Sequence, residues 1–239
     1  MWPVCKKELR QYFSSLTGYI AIIFFLLLTG AILFVLPDNI LDFGYATLDK
    51  FFEKAPWILL VLIPAITMRS FSDEFKSGTF EILQTMPITR WQLVYGKYFA
   101  AIAVVLIALL PTLVYPYSLQ QLSVTGGIDS GATAGSYIGL ILLSACFAAI
   151  GICCSSFTTN AVVAFIAGAF LCIVVYGAFS AISRIPVFEG GMDYYLEMLG
   201  IDFHYRSLSR GVVDTRDIIY FISIIVLFLV VTHRNLVKR

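Results

Sequence analysis

Residues 69–97 read RSFSDEFKSGTFEILQTMPITRWQLVYGK, an island of seven charges in 29 residues set in a hydrocarbon-rich chain. The stretches on either side, near 56–71 and 98–117, could each cross a bilayer as helices. A chain that crosses a membrane keeps such a segment on one side of it, and the island is too short to fold as a domain. It is therefore the place where something outside the membrane can act on the chain.

The rest of the sequence supplies that membrane reading. Of 239 residues, 59% are hydrophobic and 13% charged, and the mean hydropathy is +0.89. Soluble domains carry about a quarter charged residues, so this balance points to an integral membrane protein. Runs such as Ala100–Leu110 and Ala161–Val175 are continuously apolar, without the alternation of a β-barrel strand. Backbone polar groups must be satisfied within lipid, so an all-α bundle is expected. The first apolar run, Gly18 to Leu36, ends in Pro37-Asp38 without a small-x-small cleavage site and reads as an uncleaved anchor.

Six spans are expected, near 18–36, 56–71, 98–117, 135–156, 159–182 and 217–233. An even number puts both termini on one side, and positive charge chooses the side. With the termini inside, the inner segments hold Lys6, Lys7, Arg10, Arg69, Lys76, Arg90, Lys97, Arg234, Lys238 and Arg239, ten of the sixteen Lys and Arg, against Glu8, Asp73, Glu74 and Glu81. The outer segments hold six basic residues and eleven acids. The sequence predicts a multi-pass protein of the bacterial inner membrane with both termini and the island in the cytoplasm.

Residues 1–15 read as a short interfacial helix, with Trp2, Cys5, Leu9, Tyr12 and Phe13 at helical spacing and Lys6, Lys7 and Arg10 suited to headgroups. Trp57 and Trp91 fall near predicted interfaces. The outer loop Ser118–Ala134 contains the flexible TGGIDSGATAG. The outer segment 183–216 differs: Arg184, Arg206, Arg210 and Arg216 alternate with Glu189, Asp193, Glu197, Asp202, Asp214 and Asp217, while Phe188, Tyr194, Tyr195, Phe203 and Tyr205 add apolar surface. Short helices dipping into the outer leaflet are expected there, an amphipathic one over Met192–Leu199 among them; a solvated loop is the alternative.

The membrane interior excludes several function classes. No ionisable residue occurs over 98–128 apart from tyrosine, nor over 130–183 or 218–232 apart from tyrosine and cysteine. Ion-driven carriers use charged or coordinating groups near the midplane, and intramembrane enzymes need catalytic pairs. The histidines, His204 and His233, fall on opposite sides. Cys5 is cytoplasmic, and Cys146, Cys153, Cys154 and Cys172 lie within spans, where they pack as small apolar residues rather than form a disulfide framework. Gly96-Lys97 is followed by Tyr98, and position 91 is Trp where GxxxxGK[ST] needs glycine, so there is no P-loop. Energy for any transport must come from another polypeptide.

Within the island, Phe71, Phe75, Thr79, Ile82, Leu83 and Met86 fall close to one helical stripe. A single amphipathic helix over 72–86 is predicted, with Ser72 as N-cap, Asp73 and Glu74 at the positive end of its dipole, and Pro87 as its stop. Such a helix either transmits a push from a soluble partner or merely connects two spans; spacing alone leaves both open.

The pattern Glu74, Gly78-Thr79, Glu81, Leu83, Pro87, Gly96-Lys97 resembles the E-x3-GT-x-E-x-L-x3-P…GK signature of ABC-2 type transporter permeases. The resemblance covers the whole chain and implies a type V exporter-like fold: an N-terminal interfacial helix, six transmembrane helices, a cytoplasmic coupling helix and outer re-entrant helices before the last span. It implies that 72–86 docks into an ABC ATP-binding subunit, which alone binds ATP and Mg; no cofactor or catalytic residue is expected in this chain. Asp73, Glu74 and Glu81 would meet that subunit, Glu74 and Glu81 through its basic or hydrogen-bonding groups. Gly78 would allow close approach beside Thr79, and Phe75, Ile82 and Leu83 would hold the helix to the bundle, with Pro87, Gly96 and Lys97 completing the motif. The texture of residues 69–98 most resembles the gliding-motility-associated permeases of Bacteroidota.

A second permease subunit, identical or related, is implied as well. Gly131, Gly135 and Gly139, then Ala148, Gly151 and Ser155, and Ala164-x3-Gly168, form small-residue faces that serve either packing within the subunit or a dimer seam. Thr29, Thr67, Tyr115, Tyr117 and Tyr176 are candidates for a path, and the lack of buried charge points to an amphipathic or lipid-like cargo or to a mechanical role acting on an outer partner. The inner loop 155–160 is expected to be a minor contact. A non-transporting scaffold, with 183–217 binding an outer envelope protein, is the alternative; no nucleic acid is implied by either.

Overall fold

A computed structural model describes residues 1–36, 47–123, 127–185 and 192–238. Expectations that touch Pro37-Asp38, part of the loop Ser118–Ala134, Phe188, Glu189 and Arg239 lie outside the described residues. Among those described, every regular element is helical.

Helix α1 (Trp2–Ser14) starts with Pro3 in its first turn, where the missing N–H costs nothing, and stops at the extended Ser15. The chain there bends by 70° into α2 (Leu16–Phe34). Gly18 makes the corner possible, because a Cβ at that position would stand 2.5 Å from the Tyr12 carbonyl oxygen.

Helix α3 (Asp49–Thr67) and α4 (Arg69–Lys76) are separated by Met68 alone and form one 28-residue rod. Two prolines interrupt its hydrogen-bond ladder, Pro56 and Pro64. Pro56 has no N–H for the Phe52 carbonyl, and the Tyr205 hydroxyl donates to that oxygen instead, at 2.7 Å. The rod ends at Gly78, whose φ of +69° suits glycine, and α5 (Thr79–Thr85) follows.

The island thus carries two short helices, not the single helix expected over 72–86. Ser72 does not cap a start: it lies inside α4, and its hydroxyl donates to Met68 O at 2.6 Å. The helix resumes at Arg69, directly after Met68, so no new N-terminus forms at Ser72.

Helix α6 (Arg90–Leu109) opens with a capping box between Thr89 and Gln92. Pro111 converts residues 110–113 to a 3-10 turn before α7 (Val114–Leu122) completes the span. Helix α8 (Ser130–Phe157) is capped by the Asp129 side chain, and α9 (Ala161–Ile173) by Asn160. A π-helical turn at Val174–Ala178 leads to α10 (Phe179–Ser183). Two short helices, α11 (Met192–Met198) and α12 (Ile201–Ser209), precede the last long helix α13 (Thr215–Lys238).

Among the described residues, five helical rods are long and apolar enough to cross a membrane: 49–76, 90–122, 130–157, 161–183 and 215–238. The bent pair α1–α2 raises the number to six if it is one span. Helix α8 is the axle of the bundle, 83% buried over its most apolar window and packed against α3, α9, α12 and α13.

Small residues on α8 explain that position. A Cβ on Gly151 would meet Thr67 Oγ1 at 2.1 Å, on Gly139 Leu208 Cβ at 2.6 Å, and on Gly135 the Gly211 carbonyl oxygen at 2.8 Å. Ala148 and Ser155 are fully buried, and Ala164 nearly so. Gly135, Gly139, Gly151 and Gly168 thus serve packing within the subunit, where residues of the same chain cover them, while Gly131 is exposed.

Helix α12 folds down onto the bundle with Ile201, His204, Tyr205 and Leu208 buried. His204 Nδ1 stands 2.7 Å from Asp217 Oδ1, and its Nε2 donates to Met198 O at 3.0 Å. The ring also stacks on Tyr220. On α11 the apolar Tyr194 and Tyr195 are exposed.

Candidate functional site

At the island end of the bundle, α1, α4 and α6 meet over one buried lysine. Lys97 is 1% exposed, and its Nζ donates to Glu8 Oε1 at 2.8 Å and to the Ser70 carbonyl at 2.5 Å. Glu74 Oε1 lies 3.0 Å from the same nitrogen, and Phe71 places its ring 4.9 Å away. The ammonium thus donates two hydrogen bonds and has a second carboxylate beside it as an ion-pair partner. Lys7 approaches Glu74 Oε1 from the solvent side at 3.2 Å.

Local sequence builds this arrangement. Val4, Cys5 and Glu8 share the inner face of α1, one turn apart. Gly96 lets that face come close: a Cβ there would stand 2.8 Å from Val4 Cβ. The Gly96-Lys97 pair therefore has two physical tasks, close approach of α1 and a charge that holds it. Burial pushes the Cys5 thiol above its ordinary value, and the neighbouring Glu8 charge adds to the effect.

The seam between α3 and α4 is tied from both sides. Tyr12 donates to Ile66 O at 2.9 Å from α1. Ser155 Oγ, at the end of α8, accepts from the N–H groups of Phe71 and Ser72 at 3.0 and 3.2 Å and donates to Met68 O at 2.9 Å. Asn235 on α13 donates to Ser156 O at 2.6 Å, and Trp91 on α6 stacks on His233 with centroids 4.1 Å apart. The inner loop's first residues, Ser155 and Ser156, are thus structural anchors within the subunit.

Beyond this locked base the surface changes character. Lys76, Gly78, Thr79, Glu81, Pro87 and Arg90 are exposed. Ile82 is 59% and Met86 46% exposed, one turn apart on and just after α5. Phe80 is buried, and Phe75 and Leu83 are half-buried against the core; Phe75 and Phe80 meet edge to face at 4.9 Å. So Phe75 and Leu83 hold the element as the motif implied, while Ile82 and Met86 leave the expected stripe and face outward.

Glu74 and Glu81, given the same role from sequence, part company. Glu74 is 8% exposed and belongs to the lysine cluster; Glu81 faces solvent. Asp73 is half-buried at the rim. A Cβ on Gly78 would meet nothing of this chain within 4 Å, so within the subunit the position requires only the left-handed backbone.

Sequence reasoning missed Glu8, Lys7 and Ser155. Glu8 had a signal: it is the lone acid in a basic N-terminal helix and falls on its apolar side. Ser155 had none beyond its place at a span end.

Of the residues expected along a path, Thr29 and Thr67 are buried and spend their hydroxyls on the Phe25 and Ile63 carbonyls. Tyr115 bonds Thr29 at 3.2 Å, and Tyr117 is 65% exposed. Tyr176 alone among the five lines a cavity, one of about 780 Å³ at the end opposite the island.

Residues 2–232 match a family described as ABC-2 family transporter protein. No curated protein matches the chain.

Proposed function

The chain belongs to the ABC-2 transporter family, and from that premise we propose that it is the membrane-spanning subunit through which a separate ATP-binding subunit drives export. Membership makes it a permease component rather than an enzyme. The finer reading has six spans in the bacterial inner membrane, both termini and the island in the cytoplasm, and α4–α5 as the coupling element. ATP and Mg belong to the partner, and two permease subunits form the unit. The texture of residues 69–98 supports placing it with the gliding-motility-associated permeases.

One observation carries the coupling assignment. An exposed apolar pair, Ile82 and Met86, ringed by Lys76, Glu81 and Arg90, projects from a base that is locked to three helices by Lys97. Apolar side chains exposed at the membrane surface beside charges of both signs suit a protein partner. The locked base suits force transmission, because a push on α5 cannot be absorbed by a loose joint at Glu74 or Ser70.

Co-purification with the co-expressed ATP-binding subunit tests this. Ile82→Asp and Glu81→Arg are expected to abolish co-purification or uncouple ATP hydrolysis while leaving membrane insertion and thermal stability unchanged. Retained binding and coupled hydrolysis in both variants would overturn the assignment. Glu74→Arg is expected to fail differently, by lowering the yield of folded permease.

A further inference from the structure

Helices α2 and α3 pack together but leave an opening on one side. A groove of about 660 Å³ runs between them, walled by Ile20, Phe24 and Leu28 on one side and Trp57, Val61 and Ala65 on the other. Steps of about four residues keep each series on one helix face. From Trp57 to Arg69 the helix rises about 18 Å, close to the depth of one leaflet in a hydrocarbon core of about 30 Å.

The ends of the groove differ. At the island end Arg69 and Asp73 stand one turn apart, and among the described residues neither side chain has an ion-pair or hydrogen-bond partner. Trp57 closes the other end, edge-on to Tyr176 with ring centroids 5.6 Å apart. Tyr176 sits on the π-helical turn, a distortion often found at working sites.

Trp57 is also a wall of the 780 Å³ cavity beyond. In that cavity Arg206 is taken by Glu197 and Asp202, whereas Asp49, Arg184 and Arg210 have no side-chain ion-pair partner among the described residues. Among the described residues, both ends thus offer a guanidinium and a carboxylate without a side-chain ion-pair partner.

We propose that the α2–α3 groove binds one glycerophospholipid with a phosphoethanolamine-type headgroup, its acyl chain along α3, its phosphate at Arg69 and its ammonium at Asp73. This rests on the orientation proposed above and names the class of molecule the permease handles. A purely anionic head would leave Asp73 facing like charge. A choline head has no N–H to donate to the carboxylate, whereas a primary ammonium has three. The Trp57–Tyr176 pair divides this inner-leaflet site from the outer cavity, which offers the same pair of charges to the same head.

The test uses the permease without its ATP-binding subunit, so that failure leaves the coupling assignment standing. Trp2→Phe with Trp91→Phe leaves Trp57 as the single tryptophan. The protein is reconstituted in phosphatidylcholine vesicles containing a minor fraction of brominated-chain phosphatidylethanolamine, phosphatidylglycerol or phosphatidylcholine, and Trp57 quenching is titrated. Brominated phosphatidylethanolamine is expected to bind about tenfold more tightly than the other two, as one charge-assisted hydrogen bond predicts. Arg69→Gln with Asp73→Asn is expected to erase that preference while quenching by the chain persists. Equal quenching by all three headgroups would overturn the proposal. So would protection from all three, which would place a second copy of the chain in the groove.

Discussion

Lys97 and Glu8 pair at 2.8 Å across 89 positions of the chain, with the lysine 1% exposed. The pair ties the N-terminal helix to the island and explains why a helix rich in basic residues carries one acid on its inner face. Removing the lysine strands the buried Glu8 carboxylate, whereas removing Glu8 leaves Lys97 paired with Glu74 alone.

Lys97→Met is accordingly expected to destabilise the folded permease by about 3–5 kcal/mol, since Glu8 and Glu74 would lose their common counter-ion. Adding Glu8→Gln should recover part of the loss. Thermal unfolding in detergent reads both, and additive losses in the double variant would contradict the pairing.

Gly96→Val is expected to push α1 off α6, because its Cβ would meet Val4 Cβ at 2.8 Å. A second substitution, Val4→Gly, removes both obstructing atoms, Val4 Cβ and Cγ1, and should restore part of the stability lost relative to Val4→Gly alone. If Val4→Gly gives no rescue, close approach is not the reason for the glycine.

Tyr205→Phe should cost about 1–3 kcal/mol by leaving the Phe52 carbonyl without a donor. Pro56→Ala returns an N–H to the ladder at that carbonyl. The cost of Tyr205→Phe should therefore be smaller in the Pro56→Ala background, a comparison that unfolding curves supply directly.

Gly78→Val forces a β-branched residue into a left-handed conformation and should destabilise the α4–α5 corner by about 1–2 kcal/mol. Gly78→Asn should be tolerated better, because asparagine enters that region more readily. Proteolysis of the corner in membranes distinguishes the two variants.

Cys5 should alkylate slowly in the folded protein. Its raised pKa keeps the thiol protonated above the pH at which a free thiol ionises, and the group is 5% exposed. Maleimide labelling followed against pH should rise later than for the unfolded chain; coincident profiles would contradict the burial.

The spans were legible because a 20-residue apolar run has few alternatives in lipid. The island was legible as a surface element through its charge. Its break at Gly78 was not, because one glycine within a helical pattern reads as tolerated until the backbone requires φ +69°. Nor could the different fates of Glu74 and Glu81 be read, for both are acids seven residues apart in one segment. What separates them is α1, which reaches Lys97 and Glu74 from far along the chain. Pairings of that kind leave no local trace. The small-residue faces of α8 showed that close packing occurs, and only the fold could say that the neighbours were Thr67, Leu208 and Gly211.

The 28-residue rod of α3 and α4 has mechanical proportions. At about 1.5 Å per residue it is about 42 Å long, held at its outer end by Tyr205 and at its inner end by Lys97. Thr67 packs beside Gly151, where a Cβ would stand 2.1 Å from Thr67 Oγ1, and divides the rod into arms of about 14 Å and about 27 Å. Were the rod to turn about that point, a displacement at Lys76 would be roughly doubled at Asp49, with its direction reversed.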